Sequence, residues 1–215
     1  MGLAPQSVPQ SKDTAEKGGF LFLGNQLALD FLNTRPLVDG EPVELLPTFT
    51  SVLRWFQTAS LLTSRQAATL RSEWEGSVRV NRFADDLRAF REKLRQQVVA
   101  WEGGASLNRS TASTLNRTMA LHPIRTQLRQ AGRSWVREFA FYPKTPEDLF
   151  APLAHEAANL FTDVDPSRVR KCDSCVLHFL DTSKKGTRRW CSMQLCGNRL
   201  KVAAYAARQR DRGVA

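Results

Sequence analysis

Cys172-Asp173-Ser174-Cys175 and, after fifteen intervening residues, Cys191-Ser192-Met193-Gln194-Leu195-Cys196 contain all four cysteines of a 215-residue chain. The two-residue gap lets one tight turn aim two sulfurs at a single ion, and a second close pair completes a tetrahedron around it. This spacing predicts one structural Zn2+ bound by Cys172, Cys175, Cys191 and Cys196. Four thiolates form a closed shell with no position for a reacting water, so the metal is expected to hold structure, not to catalyse. The competing readings are a redox-active pair and four unrelated thiols; redox use needs a surrounding αβ pattern that this stretch lacks. His178 lies three residues past Cys175 and could be proposed as a ligand, but reads better as a side chain beside a complete site. The insert between the pairs suits a hairpin, with Val176–Asp181 as one strand, Ser183–Gly186 as the turn and Thr187–Trp190 as the return. A helix is expected to follow Cys196. Knuckle, hairpin and helix together make a treble-clef-like module.

Charge marks the same region. Of the net +10, nearly all lies from Ser167 onward, where twelve Lys or Arg face three acids, against nineteen and eighteen before it. A localised basic block points to a polyanion, nucleic acid before acidic membrane. The segment 167–215 is too short to bury a comfortable core, so a metal staple is expected. Asp163 to Pro166 reads as a linker. Before it, 20–166 should form one α+β domain, predominantly helical with a few strands, and 1–19 a polar, disordered tail. The chain is 42% hydrophobic and 24% charged, ordinary for a globular protein. No apolar run reaches the length of a membrane span, and the first residues lack the apolar stretch of an export signal. A cytoplasmic location is therefore expected.

Within 20–166, Phe20 to Leu23 reads as a strand ended by Gly24-Asn25, and Gln26 to Thr34 as a helix stopped by Pro36. Val38 to Pro47 is turn-rich. Thr50 to Ala59 is amphipathic, and Ser64 is a plausible N-cap for a helix through Trp74. Leu87, Phe90, Leu94, Val98 and Trp101 recur at helical steps, predicting a helix over Ala84 to Trp101 stopped by Gly103-Gly104. Leu107 to Leu121 predicts another. Ile124 to Gln130 and Ser134 to Phe141 alternate in character around Ala131-Gly132-Arg133 and predict a hairpin. Thr145-Pro146 opens a last helix to about Thr162.

Lys201, Tyr205 and Arg208 share one face of a helix begun near Gly197, while Leu200, Ala203, Ala204 and Ala207 share another. Such a helix can lie in a major groove. Arg199 could read bases too, or instead orient the metal shell or cap the helix. Lys184, Lys185, Arg188 and Arg189 on the hairpin would contact phosphates. DNA is the preferred partner; RNA, or a protein partner with a merely solvated basic surface, stays open. No phosphate-binding loop or nucleophile elbow is present, and His155-Glu156-Ala157-Ala158-Asn159 lacks the second histidine of a zinc-protease helix. No enzyme is expected. Asp30 and Asn33, three apart on one helix, could face a ligand pocket or serve in helix-end hydrogen bonding.

Cys196-Gly197-Asn198-Arg199 resembles the signature of the CGNR zinc-finger family of bacterial proteins. Phe179-Leu180-Asp181-Thr182-Ser183 and Arg188-Arg189-Trp190-Cys191-Ser192-Met193 are similar to that family as well. Leu27-Ala28-Leu29-Asp30-Phe31-Leu32-Asn33-Thr34 resembles the opening motif of the ABATE domain that usually precedes this finger. Members often carry an aromatic residue where this chain has His178. The resemblance implies a stress-responsive transcription regulator, with an N-terminal domain sensing a small-molecule effector or partner and a finger on DNA. A homodimer is left open.

Overall fold

The computed structural model describes residues 16–38 and 40–197. Two short strands, β1 (Glu16–Lys17) and β2 (Phe20–Leu21), pair antiparallel ahead of helix α1 (Leu27–Leu32). A small ladder of β3 (Leu37–Val38) and β4 (Glu41–Pro42) leads to α2 (Phe49–Thr58), α3 (Ser64–Trp74), α4 (Val78–Glu102) and α5 (Arg109–Leu121). The β5 (Arg125–Ala131) and β6 (Ser134–Ala140) hairpin follows, turning through Gly132 at φ 62°, a left-handed conformation that favours glycine. A 3-10 turn, Pro146–Leu149, runs into α6 (Phe150–Asp163). Short polar side chains start these helices. Thr48 and Ser51 form a capping box, Thr63 and Gln66 another, and the Asn108 side-chain carbonyl accepts the Thr111 N–H at 2.7 Å. Thr63, not Ser64, is thus the N-cap of α3: its hydroxyl reaches the third helical N–H, and Ser64 is already inside.

All six residues of α1 are buried, as expected of a helix apolar on nearly every side. It lies at the centre, against α4 and α6. Trp55 of α2 closes one end, its ring 5.7 Å from Phe31 and 6.0 Å from Phe22. The α4 stripe Val80, Phe83, Leu87, Leu94, Val98 and Trp101 is buried throughout, each side chain contributing roughly 1.5–3 kcal/mol. On the same helix Arg88, Arg91 and Arg95 grip the chain between α1 and α2. Arg95 donates to the Leu32 carbonyl, one of the orphans at the end of α1. Arg91, fully buried, donates to the Thr34 hydroxyl at 2.8 Å and pairs with Glu44. Arg88 donates to the carbonyls of Leu46 and Pro47.

The cysteine module is built differently from its expected hairpin. Strand β7 (Val169–Lys171) pairs with β8 (His178–Leu180), flanking the first cysteine pair, and Thr187–Trp190 joins no ladder. The turn Cys172 to Leu177 is itself the hairpin bend, closed by the Cys172 N–H on the Leu177 carbonyl at 2.9 Å. Asp181 replaces a ladder for the returning chain: its buried carboxylate accepts the N–H of Ser183 at 2.9 Å and of Arg188 at 2.8 Å.

Residues 20–23 are shared between two cores. Phe20 and Phe22 pack into the helical body, whereas Leu21 and Leu23 pack against Cys172, Leu177, Phe179, Cys191 and Cys196. The two-residue period of extended chain sorts them to opposite sides. In return Val169 is buried in the helical core and Leu180 packs on it. The Leu180 N–H donates to the Gly24 carbonyl at 2.7 Å, and the Asn25 amide to the Leu180 carbonyl at 2.9 Å. Gly24 has no room for a side chain: a Cβ there would lie 2.8 Å from the Asp30 nitrogen.

Candidate metal centre

The sulfur atoms of Cys172, Cys175, Cys191 and Cys196 all lie within 4.8 Å of one another, and this is the one such cluster among the described residues. Cys191 stands 3.6 Å from both Cys175 and Cys196, and Cys175 to Cys196 is 3.7 Å. Sulfurs at about 2.3 Å around a tetrahedral zinc would be about 3.8 Å apart. Cys172, Cys191 and Cys196 are buried and Cys175 half-buried. Cys196 is presented by a π-type turn, Met193–Gly197, in which the N–H groups of Cys196 and Gly197 both donate to the Ser192 carbonyl. The donor set therefore fits one zinc ion with four thiolates, which when bound would pin knuckle and turn together. No position is left for substrate or water.

The thiols also show why a cation belongs among them. A hydrogen bond from Cys191 pulls Cys175 down to about 5, helped by the Leu177 N–H. Holding that bond pushes Cys191 far up, and desolvation with the nearby Cys175 charge lifts Cys196 to about 11. Four sulfurs this close cannot all ionise against one another; a divalent ion removes the conflict.

Two family models cover the chain. Residues 25–164 match ABATE, described as "Putative stress-induced transcription regulator", and residues 168–209 match the CGNR zinc finger. The chain belongs to the ABATE family. No curated protein matches it. Both families are regulatory or zinc-finger in kind, not enzymatic. Among the described residues no helix is long and apolar enough to cross a membrane.

Around the CGNR centre the basic residues divide. Lys184 and Lys185 are exposed on the loop after β8. Arg189 is exposed but tied to Asp173 at 2.7 Å. Arg188 is turned inward: it donates to the carbonyls of Trp190 and Cys191, and its guanidinium lies 4.8 Å over the Phe179 ring. It holds the segment that carries Cys191. Arg199, Lys201, Tyr205 and Arg208, with the helix expected to bear them, lie outside the described residues.

Asn33 of the ABATE portion faces the finger, and Asp30 the turn that precedes its own helix. The Asn33 amide donates to the His178 carbonyl and its carbonyl accepts the His178 N–H, both at 2.9 Å. Asp30 accepts the Gly24 N–H at 2.7 Å, and burial lifts its carboxyl to about 7. Of the two readings of this pair, the hydrogen-bonding one describes what the side chains touch. His178 is no ligand either. Its ring is buried beside Glu102, 3.6 Å away, and desolvation, with Arg95 and Lys171 nearby, lowers it to about 4. At neutral pH the ring is uncharged, so the contact is not an ion pair. Sequence reasoning missed Glu102, which accepts the Lys171 N–H at 2.8 Å and ties the end of α4 to the finger. Nothing near Glu102 in the sequence signals that contact.

Proposed function

We propose that this protein is a DNA-binding transcription regulator in which the zinc finger meets the phosphate backbone and the ABATE portion senses an effector. The observation that carries the reading is the closed, largely buried cysteine centre with Lys184 and Lys185 exposed on the loop beside it, neither holding an ion pair among the described residues. A metal that cannot react and a pair of uncommitted cations fit a surface that meets a polyanion. The basic excess after Pro166 supports it. The backbone contacts fall to Lys184, Lys185 and, once released from Asp173, Arg189; base reading falls to Arg199, Lys201, Tyr205 and Arg208.

The test is affinity of the full zinc-loaded chain for random-sequence duplex DNA across a salt series. Lys184→Ala and Lys185→Ala each remove one cation from the phosphates and should each flatten the log–log salt slope by about 0.9. A full chain that binds no duplex at low salt, or binds single-stranded RNA more tightly, would end the DNA reading. A second reading has its own observation: Leu128 and Trp135 on one face of the β5–β6 hairpin are two-thirds exposed, which favours a protein partner there.

A further inference from the structure

A cavity of about 380 Å3 opens where the β5–β6 hairpin leaves the helical body. Its polar lining is His122, Arg125, Tyr142, Lys144 and Asp148, and Phe141 and Pro123 supply apolar wall. The one carboxylate is already committed. Asp148 Oδ1 accepts a hydrogen bond from His122 Nδ1 at 2.9 Å, and Oδ2 accepts the N–H groups of Lys144 and Thr145, each at 2.9 Å. That arrangement ties the end of α5 to the start of the 3-10 turn, and it accounts for His122 and Asp148. It does not account for the side chains of Arg125 and Lys144. Neither cation has a hydrogen bond or ion pair among the described residues. The Tyr142 hydroxyl accepts from Gln127 at 3.2 Å and keeps its own proton to give. The unspent groups are thus two cations and a hydroxyl donor, with no unspent carboxylate to oppose them.

We propose that this cavity binds a small organic carboxylate, its charge met by Arg125 and Lys144 and its apolar body laid against Phe141 and Pro123. The volume suits a molecule of about one ring, at the small end of ligand sites. Guanidinium and ammonium together give charge-assisted hydrogen bonds to a carboxylate, the strong kind. The position couples the site to the hairpin. Arg125 pairs with Ala140 at the first rung of the β5–β6 ladder, and the Gln66 amide holds the Phe141 carbonyl at 2.8 Å just beyond it. An occupant therefore contacts the joint on which the hairpin stands. The inference rests on the sensor half of the proposed function, and its test contains no DNA, so each can fail without the other.

The probes are benzoate, its neutral isostere benzamide and inorganic phosphate, each at millimolar concentration with the full zinc-loaded chain. Binding of benzoate and benzamide is read by saturation-transfer NMR, and binding of all three probes by the shift in Tm across a concentration series. Benzoate should bind and raise Tm, and benzamide should do neither. Arg125→Ala and Lys144→Ala, both at exposed positions, should each weaken benzoate about tenfold while leaving the Tm without ligand unchanged. Benzoate binding no better than benzamide, or equally well to both variants, overturns the proposal. Phosphate binding more tightly than benzoate, with the same weakening in the variants, overturns the carboxylate class.

Discussion

Asn33 acts as a length of β-strand folded into a side chain: its amide offers His178 the donor and acceptor that a neighbouring peptide would. Asn33→Ala leaves a buried N–H and a buried carbonyl with no partner, a cost of roughly 2–4 kcal/mol. Thermal melts of the zinc-loaded protein should show Tm lowered on the order of 5–15 °C; an unchanged Tm would mean that water or a shifted backbone replaces both bonds. Two titratable groups at this junction pull stability in opposite directions. Asp30 has its carboxyl raised from 3.8 to about 7 by burial, so the folded state holds a proton that the unfolded state has lost. Its stabilising effect is complete below about pH 4 and fades as pH rises to 7. Asp30→Asn keeps the acceptor for Gly24 and should remove that decline, making the variant the more stable one at pH 8. His178 is lowered from 6.5 to about 4, so stability present above 6.5 is lost as pH falls toward 4. His178→Phe should erase that part of the acid sensitivity, visible as a smaller drop in Tm between pH 7 and pH 5 than in the parent. Thiolate protonation is common to both proteins and cancels in the comparison.

Among the elements, α4 joins the most of the structure, and its arginines carry a testable asymmetry. Removing Arg91 alone strands a partly buried Glu44, at about 3–5 kcal/mol. Replacing both, as Arg91→Met with Glu44→Leu, should recover most of that loss in urea unfolding; equal losses would show that Arg91 works through Thr34 instead. The periodicity of α4 is plain in the sequence, as are the hairpin turn at Gly132 and the Thr145 cap, because each is decided by residues within one or two turns of chain; the cap of α3 is misread by one residue. The four cysteines are legible for the same reason, since local spacing dictates which sulfurs meet. The burial of Arg91 is harder to read, although it stands four residues after Leu87 and three before Leu94. A cation inside an apolar stripe is a signal, but its partner Glu44 is distant in sequence. The sequence misplaces the strand partner of β8, because alternation fits a return strand at 187–190 as well as one at 169–171. Only the bend closed by Cys172 and Leu177 decides between them. Asp30 and Asn33 stand out as polar residues on an apolar helix, yet the partner of Asn33 lies 145 residues on, which no local pattern can announce.

At the scale of the whole molecule, metal and body should not be separable. The full chain should carry one zinc by elemental analysis, and zinc–thiolate binding supplies folding energy to the finger. Chelation, or Cys196→Ser, should therefore strip hydrogen-exchange protection from 169–197. It should also loosen 20–25, because Leu21 and Leu23 lose the cluster they cover and Gly24 loses Leu180. The centre of the helical body, around Trp55 and Leu87, should keep its protection. Exchange at 20–25 that ignores the metal would show that the two cores fold independently. The shared strip at 20–23 bears on inheritance as well. A recombination joining this finger to another body near Pro166 would leave two of its wall residues, Leu21 and Leu23, behind. A workable transplant has to bring that strip along or find its equivalent in the recipient. Chain order presents two consecutive cassettes; heredity has to pass them on as one.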